Sequence, residues 1–318
     1  MDKFAATGVL HSLRQVTEAA VIACHDWVGK GQKETADGAA VDAMRARLNN
    51  LPFGVRVVIG EGEKDNAPQL YTGETLGNQG SDLQFDVAVD PVEGTSYMAK
   101  GLPDALAVIA MASKDSMMNT GGSYYMDKLV VGKQARGLIE PHWSLAQKLD
   151  VLAQALNKNK EDLTVYVLEK PRHTALVAEL YTHRVRVLLY PAGDVAGALL
   201  AAMPDSPVDA LLGTGGTPEA ILSAIAVKAL GGDFFARFDP QLDAEKQAIA
   251  KQGFNTSDWY SINQLVASEE VFFCASGLTD GLMLKGVHKQ VNGGFAVHSM
   301  LISSRENGIV YVNTTAST

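Results

Sequence analysis

Between residues 164 and 219 the chain repeats one pattern three times: a short apolar strand, a turn, and the start of a helix. Residues 164–168 run into Lys170-Pro171-Arg172-His173, residues 186–190 into Pro191-Ala192-Gly193-Asp194, and residues 208–212 into Gly213-Thr214-Gly215-Gly216-Thr217-Pro218-Glu219. Strands alternating with helices in this way form βαβ units, whose strands lie parallel. Ligands of such sheets gather at the carboxyl ends of the strands, where all three turns fall. Lys170 and Arg172 flank a strand-stopping proline and set two cations at a helix start, which suits phosphate. The glycine-rich turn at 213–217 offers backbone N–H groups to an anion, but no Gly-Lys-Ser/Thr follows, so it is not a Walker A loop. Pro218 suits the first helical turn, and Glu219 either complements the helix dipole or ligates a metal. His173 and His142 read as surface or helix residues, not as ligands.

The first half is built differently. Leu13, Val16, Ala20, Cys24 and Trp27 recur at helical spacing and predict a helix ending near Gly29. A polar turn over residues 31–38 precedes a second helix with Ala40, Met44 and Leu48 on one face, and Asp37 reads by default as its cap. A β-branched strand at 56–59 leads to Gly60-Glu61-Gly62-Glu63-Lys64-Asp65, and an apolar strand at 87–89 leads to Asp90-Pro91-Val92-Glu93-Gly94-Thr95. Pro91 stops the second strand, Gly94 permits close backbone approach, and Thr95 supplies a hydroxyl where the next element begins. Solvated turns and helix caps use these residue types too. Two neighbouring strand ends that each carry several carboxylates, however, suit a hard divalent cation such as Mg²⁺ or Mn²⁺. No Cys/His cluster with zinc spacing occurs, which disfavours zinc.

A chain of 318 residues accommodates two domains, and the break is expected in the polar stretch near Lys158 to Asp162. That gives a metal-binding α+β domain over 1–160 and an α/β substrate-binding domain over 161–318. A net charge of −9 argues against a nucleic-acid surface, and an anionic substrate then needs local cations or a metal. Cys24 and Cys274 both sit in apolar patterns and read as buried free thiols. Neither a charged-then-apolar leader nor a membrane-length apolar run is present, so the expectation is a soluble cytoplasmic protein.

Taken in order, Thr35-Ala36-Asp37-Gly38-Ala39-Ala40, Val58-Ile59-Gly60-Glu61-Gly62-Glu63, Asp90-Pro91-Val92-Glu93-Gly94-Thr95, Tyr125-Met126, Lys170-Pro171-Arg172-His173, Gly193-Asp194-Val195-Ala196 and Gly215-Gly216-Thr217-Pro218-Glu219 resemble one family over nearly the whole chain. It is the class II fructose-1,6-bisphosphatases, the GlpX-like branch of the lithium-sensitive, metal-dependent phosphatases. The resemblance implies an α/β fold of the layered α-β-α-β-α sugar-phosphatase type, its second half holding a mainly parallel sheet. It implies hydrolysis of the 1-phosphate of fructose 1,6-bisphosphate in gluconeogenesis, with Mn²⁺ or Mg²⁺, in a cytoplasmic homo-oligomer (dimer or tetramer). Asp37, Glu61, Asp90, Glu93 and Glu219 are implied as metal ligands. Glu93, Gly94, Thr95, Tyr125, Lys170, Pro171, Arg172, Gly193, Asp194 and Gly216 are implied as the substrate site, with Glu61, Asp65 and Thr95 in catalysis. The same site could serve sedoheptulose 1,7-bisphosphate or another sugar or inositol phosphate, and a non-catalytic sugar-phosphate sensor is the reading outside enzymes. Ala192 stands where the best-known members have aspartate, and Gln69-Leu70 where Met-Leu is commoner. Both features resemble the second, YggF-like branch, and the first bears on sugar preference.

Overall fold

A computed structural model describes residues 3–60, 69–291, 293–306 and 308–316. In chain order, α1 (Lys3–Cys24) and α2 (Lys33–Asn49) precede β1 (Gly54–Ile59), β2 (Thr75–Gly77), β3 (Gln84–Glu93), α3 (Thr95–Lys100) and β4 (Leu106–Ser113). Next come β5 (Tyr125–Val131), α4 (Leu145–Leu156), β6 (Thr164–Leu168), α5 (Thr174–Thr182), β7 (Arg186–Tyr190), α6 (Asp194–Ala202), β8 (Ala210–Gly216), α7 (Thr217–Leu230) and β9 (Asp233–Phe238). The last described elements are α8 (Asp243–Lys251), β10 (Tyr260–Ser261), α9 (Ile262–Leu265), β11 (Val271–Gly277), β12 (His288–Lys289), β13 (Phe295–Ser303) and β14 (Ile309–Ala316). They form two units, one of Met1–Met117 with Ser268–Thr318, the other of Met118–Ala267.

The first unit holds a sheet in the order β12-β13-β11-β4-β3-β1-β2, with β14 paired to β13. Among the described strands β1 and β3 pair in parallel and the other pairs are antiparallel. Helix α1 packs on β4, β11 and β13, burying Leu13, Val16, Ala20 and Cys24, the stripe its sequence spacing marks out. Phe85 stacks edge-on against Phe53 at 5.5 Å and Phe272 at 6.3 Å, tying β3 and β11 into one core. The open edge of β4 is filled by β11, from Val271↔Ala112 to Gly277↔Leu106, so the last strands complete the first sheet. The boundary expected near residue 160 falls instead inside the second unit, in the turn Lys160–Asp162. There Leu149, Leu152 and Ala153 of α4 share one apolar cluster with Val165 and Val167 of β6, and no break separates them.

The second unit holds a sheet in the order β10-β9-β5-β8-β6-β7. The parallel pairing that the three strand–turn–helix repeats predict holds across β7, β6 and β8. Beyond β8 the sheet continues antiparallel through β5, β9 and β10, so it is mixed. Strand β9 follows the pair Gly231-Gly232 and lies beyond the strands read from the sequence above. Its Phe234, Ala236 and Phe238 are buried in strict alternation around Arg237. Among the described residues no helix is long and apolar enough to cross a membrane.

Replacing Phe85 (4% exposed) with alanine removes the ring shared by β3 and β11. It should cost about 3–5 kcal/mol of unfolding free energy, read from urea titration.

Candidate functional site

In the first unit the acidic strand end is shaped by a bulge. Asp90 pairs with Val108 and Glu93 with Leu106, so β3 carries one residue more than β4 across that interval. Pro91 and Val92 have no Cα partner on β4 there, and among the described residues the last pair between β1 and β3 is Ile59↔Ala88. A residue without an N–H is therefore tolerated at the bulge against β4, and β3 runs on to Glu93 instead of stopping at Pro91 as expected. The Val92 N–H donates to Asp90 Oδ1 at 3.0 Å and fixes that carboxylate. Asp90 and Glu93 bring carboxylate oxygens within 4.8 Å of one another, and Glu93 is only 5% exposed. Like charges this close, one of them out of water, are stabilised by a cation, and an all-oxygen donor pair fits a hard divalent one.

Gly94 then turns the chain with φ +80°, where an added Cβ would lie 2.9 Å from the Tyr97 ring. Thr95 opens α3, and the Tyr97 and Met98 amides both donate to Gly94 O, at 2.8 and 3.1 Å. Asp37 is half-buried on α2, which packs against β3 and α3. The loop before α2 is tied to α3 by Gly29 N–H to Met98 O and Gly31 N–H to Ala99 O, both 2.9 Å. Gln32, not Asp37, occupies the N-cap, so Asp37 lies a turn inside the helix and is not the cap that local pattern suggests. Glu61 and Asp65 lie outside the described residues. The chain beyond them is anchored by Glu74, 5% exposed, which accepts the Leu70 N–H and Arg45 Nε, each at 2.7 Å.

In the second unit β6 pairs with β8 only at Val165↔Ala210 and Tyr166↔Leu211. From Gly213 onward the edge of β8 that faces away from β5 is served by side chains of the Lys170–His173 turn. Arg172 donates from Nε and Nη2 to Thr214 O at 3.0 and 2.8 Å, and its guanidinium lies 5.1 Å from the centre of the Tyr125 ring. The Thr214 N–H donates to His173 Nε2 at 2.7 Å, and His173 Nδ1–H donates to Leu168 O at 2.6 Å. His173 is 4% exposed, so it is not the surface residue its sequence position suggests. Burial pushes its pKa below the ordinary imidazole value, and the neutral ring it keeps is the form that can accept at Nε2. The expected glycine-rich turn is itself strand, paired with β5 from Val131↔Ala210 to Tyr125↔Gly216.

Its glycines answer to neighbouring side chains. A Cβ on Gly213 would meet His173 Nε2 at 2.9 Å, one on Gly215 would meet Asp194 Oδ2 at 1.9 Å, and one on Gly216 would meet Glu219 Oε2 at 1.7 Å. Gly193, with φ +86°, caps α6, and Tyr166 Oη donates to Gly193 O at 2.9 Å and Ala192 O at 3.2 Å, which holds that turn. Asp194 opens α6 but is buried, with Oδ2 paired to the buried Lys128 Nζ of β5. Glu245, fully buried, accepts the N–H groups of Tyr124 at 2.6 Å and Tyr125 at 2.8 Å and so pins the start of β5. The second unit thus brings Tyr125, Arg172 and the strand ending in Gly216 together, with Asp194 behind Gly215. Lys128, Thr214 and Glu245 are the residues sequence reasoning misses. The signal available in the sequence was the adjacent pair Asp127-Lys128, charged residues inside a strand that is otherwise apolar apart from Tyr125.

The sequence profile of a family described as bacterial fructose-1,6-bisphosphatase, glpX-encoded, matches residues 7–316. Fructose-1,6-bisphosphatase 1 class 2 of Escherichia coli is 43% identical over 291 residues, covering 87% of this chain and 86% of that protein. The class 2 fructose-1,6-bisphosphatase of Shigella flexneri matches with the same identity and coverage, 43% over 87% of this chain and 86% of its own. Among solved structures, an inositol monophosphatase from Anabaena overlays with a TM-score of 0.36 at 14% identity, covering 80% of this chain and 98% of that one.

Lys128→Met leaves the Asp194 carboxylate buried without its cation and should destabilise the protein by about 3–5 kcal/mol in urea titration. The double variant Lys128→Met/Asp194→Leu should regain most of that loss, since it removes both charges.

Proposed function

The chain belongs to the family of bacterial, glpX-encoded fructose-1,6-bisphosphatases, and from that membership we propose that it hydrolyses the 1-phosphate of fructose 1,6-bisphosphate to give fructose 6-phosphate and phosphate. The observation that carries this reading is the 43% identity over 87% of the chain to a class 2 enzyme. In this reading the protein acts in gluconeogenesis as a cytoplasmic homo-oligomer.

Asp90 and Glu93 would hold Mn²⁺ or Mg²⁺ at the β3 bulge, with Asp37, Glu61 and Glu219 completing the ligand set. When bound, such a cation neutralises phosphoryl charge and lowers the pKa of a water. Phosphoryl transfer otherwise asks a protein for positioning and electrostatic support. Glu61 or Asp65 accepts the proton of the attacking water. Gly94 and Thr95, at the bend from β3 into α3, present backbone and hydroxyl donors to the scissile phosphate, alongside Glu93. Arg172, steadied by Thr214 O and the Tyr125 ring, binds the second phosphate together with Lys170 and Pro171, which makes a bisphosphate the better substrate. Gly193, Asp194 and Gly216 shape the sugar pocket, and Ala192 there leaves room where an aspartate would bond sugar hydroxyls.

Asp90→Ala should lower turnover by on the order of 10²-fold or more while the far-UV spectrum stays unchanged, because a ligand to the cation is gone. Phosphate release with Mn²⁺ across fructose, sedoheptulose and inositol phosphates is the assay, and near-normal turnover in Asp90→Ala would refute the ligand assignment. EDTA should abolish activity in the wild type, and Mn²⁺ should restore it. Arg172→Ala should raise KM for fructose 1,6-bisphosphate about tenfold or more with kcat changed far less; an unchanged KM removes the anchor role.

A further inference from the structure

We infer that His173 is a positioning residue that sets where the Arg172 guanidinium sits, acting through the backbone of Thr214. The inference rests on the reading of Arg172 as the anchor of the second phosphate. Every polar group of Thr214 is engaged. Its N–H goes to His173 Nε2 at 2.7 Å, its carbonyl takes both Arg172 donors at 3.0 and 2.8 Å, and its hydroxyl donates to Asp239 Oδ2. The segment is held off β6, whose pairing with β8 ends at Leu211, so no strand fixes the Thr214 peptide on that side. The His173 ring does so instead. It bridges Leu168 O, at the end of β6, to Thr214 N–H on β8, and the carbonyl that seats Arg172 follows from where that N–H is pinned. Gly213 lies against the ring with φ +113°, so the backbone bends at the point of contact and leaves no space for a side chain between ring and strand.

The bridge needs one tautomer. Leu168 O can only accept, so Nδ1 carries the proton, and Thr214 N–H can only donate, so Nε2 must be bare. A doubly protonated ring sets Nε2–H against Thr214 N–H and opens the bridge. The charged groups facing the ring are Arg172 on its own turn, Asp127 on β5 and Asp239 after β9; burial outweighs the two carboxylates and keeps the ring neutral. Because the folded-state pKa lies below the ordinary 6.5, the bridge is intact above that value and is lost as pH falls through the depressed one.

The test is steady-state phosphate release from fructose 1,6-bisphosphate by His173→Leu, His173→Gln, Arg172→Ala and the double variant Arg172→Ala/His173→Leu. Leucine fills the space without an acceptor, and should raise KM about tenfold with kcat within about twofold. Glutamine places an amide oxygen near the Nε2 position and should recover most of the lost affinity. The double variant should be no worse than Arg172→Ala alone, because both changes act on one contact. A wild-type KM in His173→Leu beside a raised KM in Arg172→Ala overturns the role of His173 and leaves the anchor standing. An unchanged KM in Arg172→Ala overturns the anchor itself. Should His173→Leu fail to fold, the pH series decides. As pH falls below 6.5 and through the ring's depressed pKa, the wild-type KM should rise more steeply than that of His173→Gln, which shares the substrate's own titration but lacks the ring. Parallel rises in the two proteins would overturn the inference.

Discussion

A strand that outruns its neighbour must find other partners for its polar backbone, and the second unit is organised around that requirement. β8 continues past the last residue it shares with β6, and its exposed peptide edge is met by Arg172 and His173. Once those side chains serve as ladder partners, the rest follows. Glycine is needed where the ring and the buried carboxylate press on the strand. Tyr125 comes to lie under the guanidinium because β5 pairs with β8 on the other side. Glu245 in turn holds the start of β5 in place. A guanidinium seated between a peptide carbonyl and an aromatic ring thus emerges from a gap in a sheet.

The first unit solves a related problem by another route. β3 outruns β1, and the overhang is bulged against β4, so that Asp90 and Glu93 come close together on a segment that would otherwise alternate between opposite faces. Two charged carboxylates this close repel one another, and a cation between them would offset that repulsion.

Much of this was legible in the sequence because it depends on short-range pattern. Strands β6 and β7 begin and end where apolar runs and punctuating residues place them, and α1 buries the stripe that its spacing marks. What escaped was set by pairing between distant segments. Nothing local in Gly213-Thr214-Gly215-Gly216 distinguishes a phosphate-cradling turn from a strand whose glycines make room for His173, Asp194 and Glu219. Pro91 stops a strand in most settings, and the bulge against β4 shows how it is accommodated here. β9 is hard to read because Arg237 interrupts its apolar run, although that side chain is paired with the half-buried Asp127 of β5. The return of β11 to β4 has no signal short of the pairing itself.

The buried Lys128–Asp194 pair gives the second unit a temperature dependence of its own. Taking both charges out of water is costly at room temperature, but the hydration they forgo becomes less favourable as temperature rises. The balance of this contact therefore shifts toward the folded state on warming, while the contribution of apolar burial levels off. The link between β5 and the opening of α6, and with it the strand that seats Arg172, is thus relatively strengthened by heat when much of the core is not.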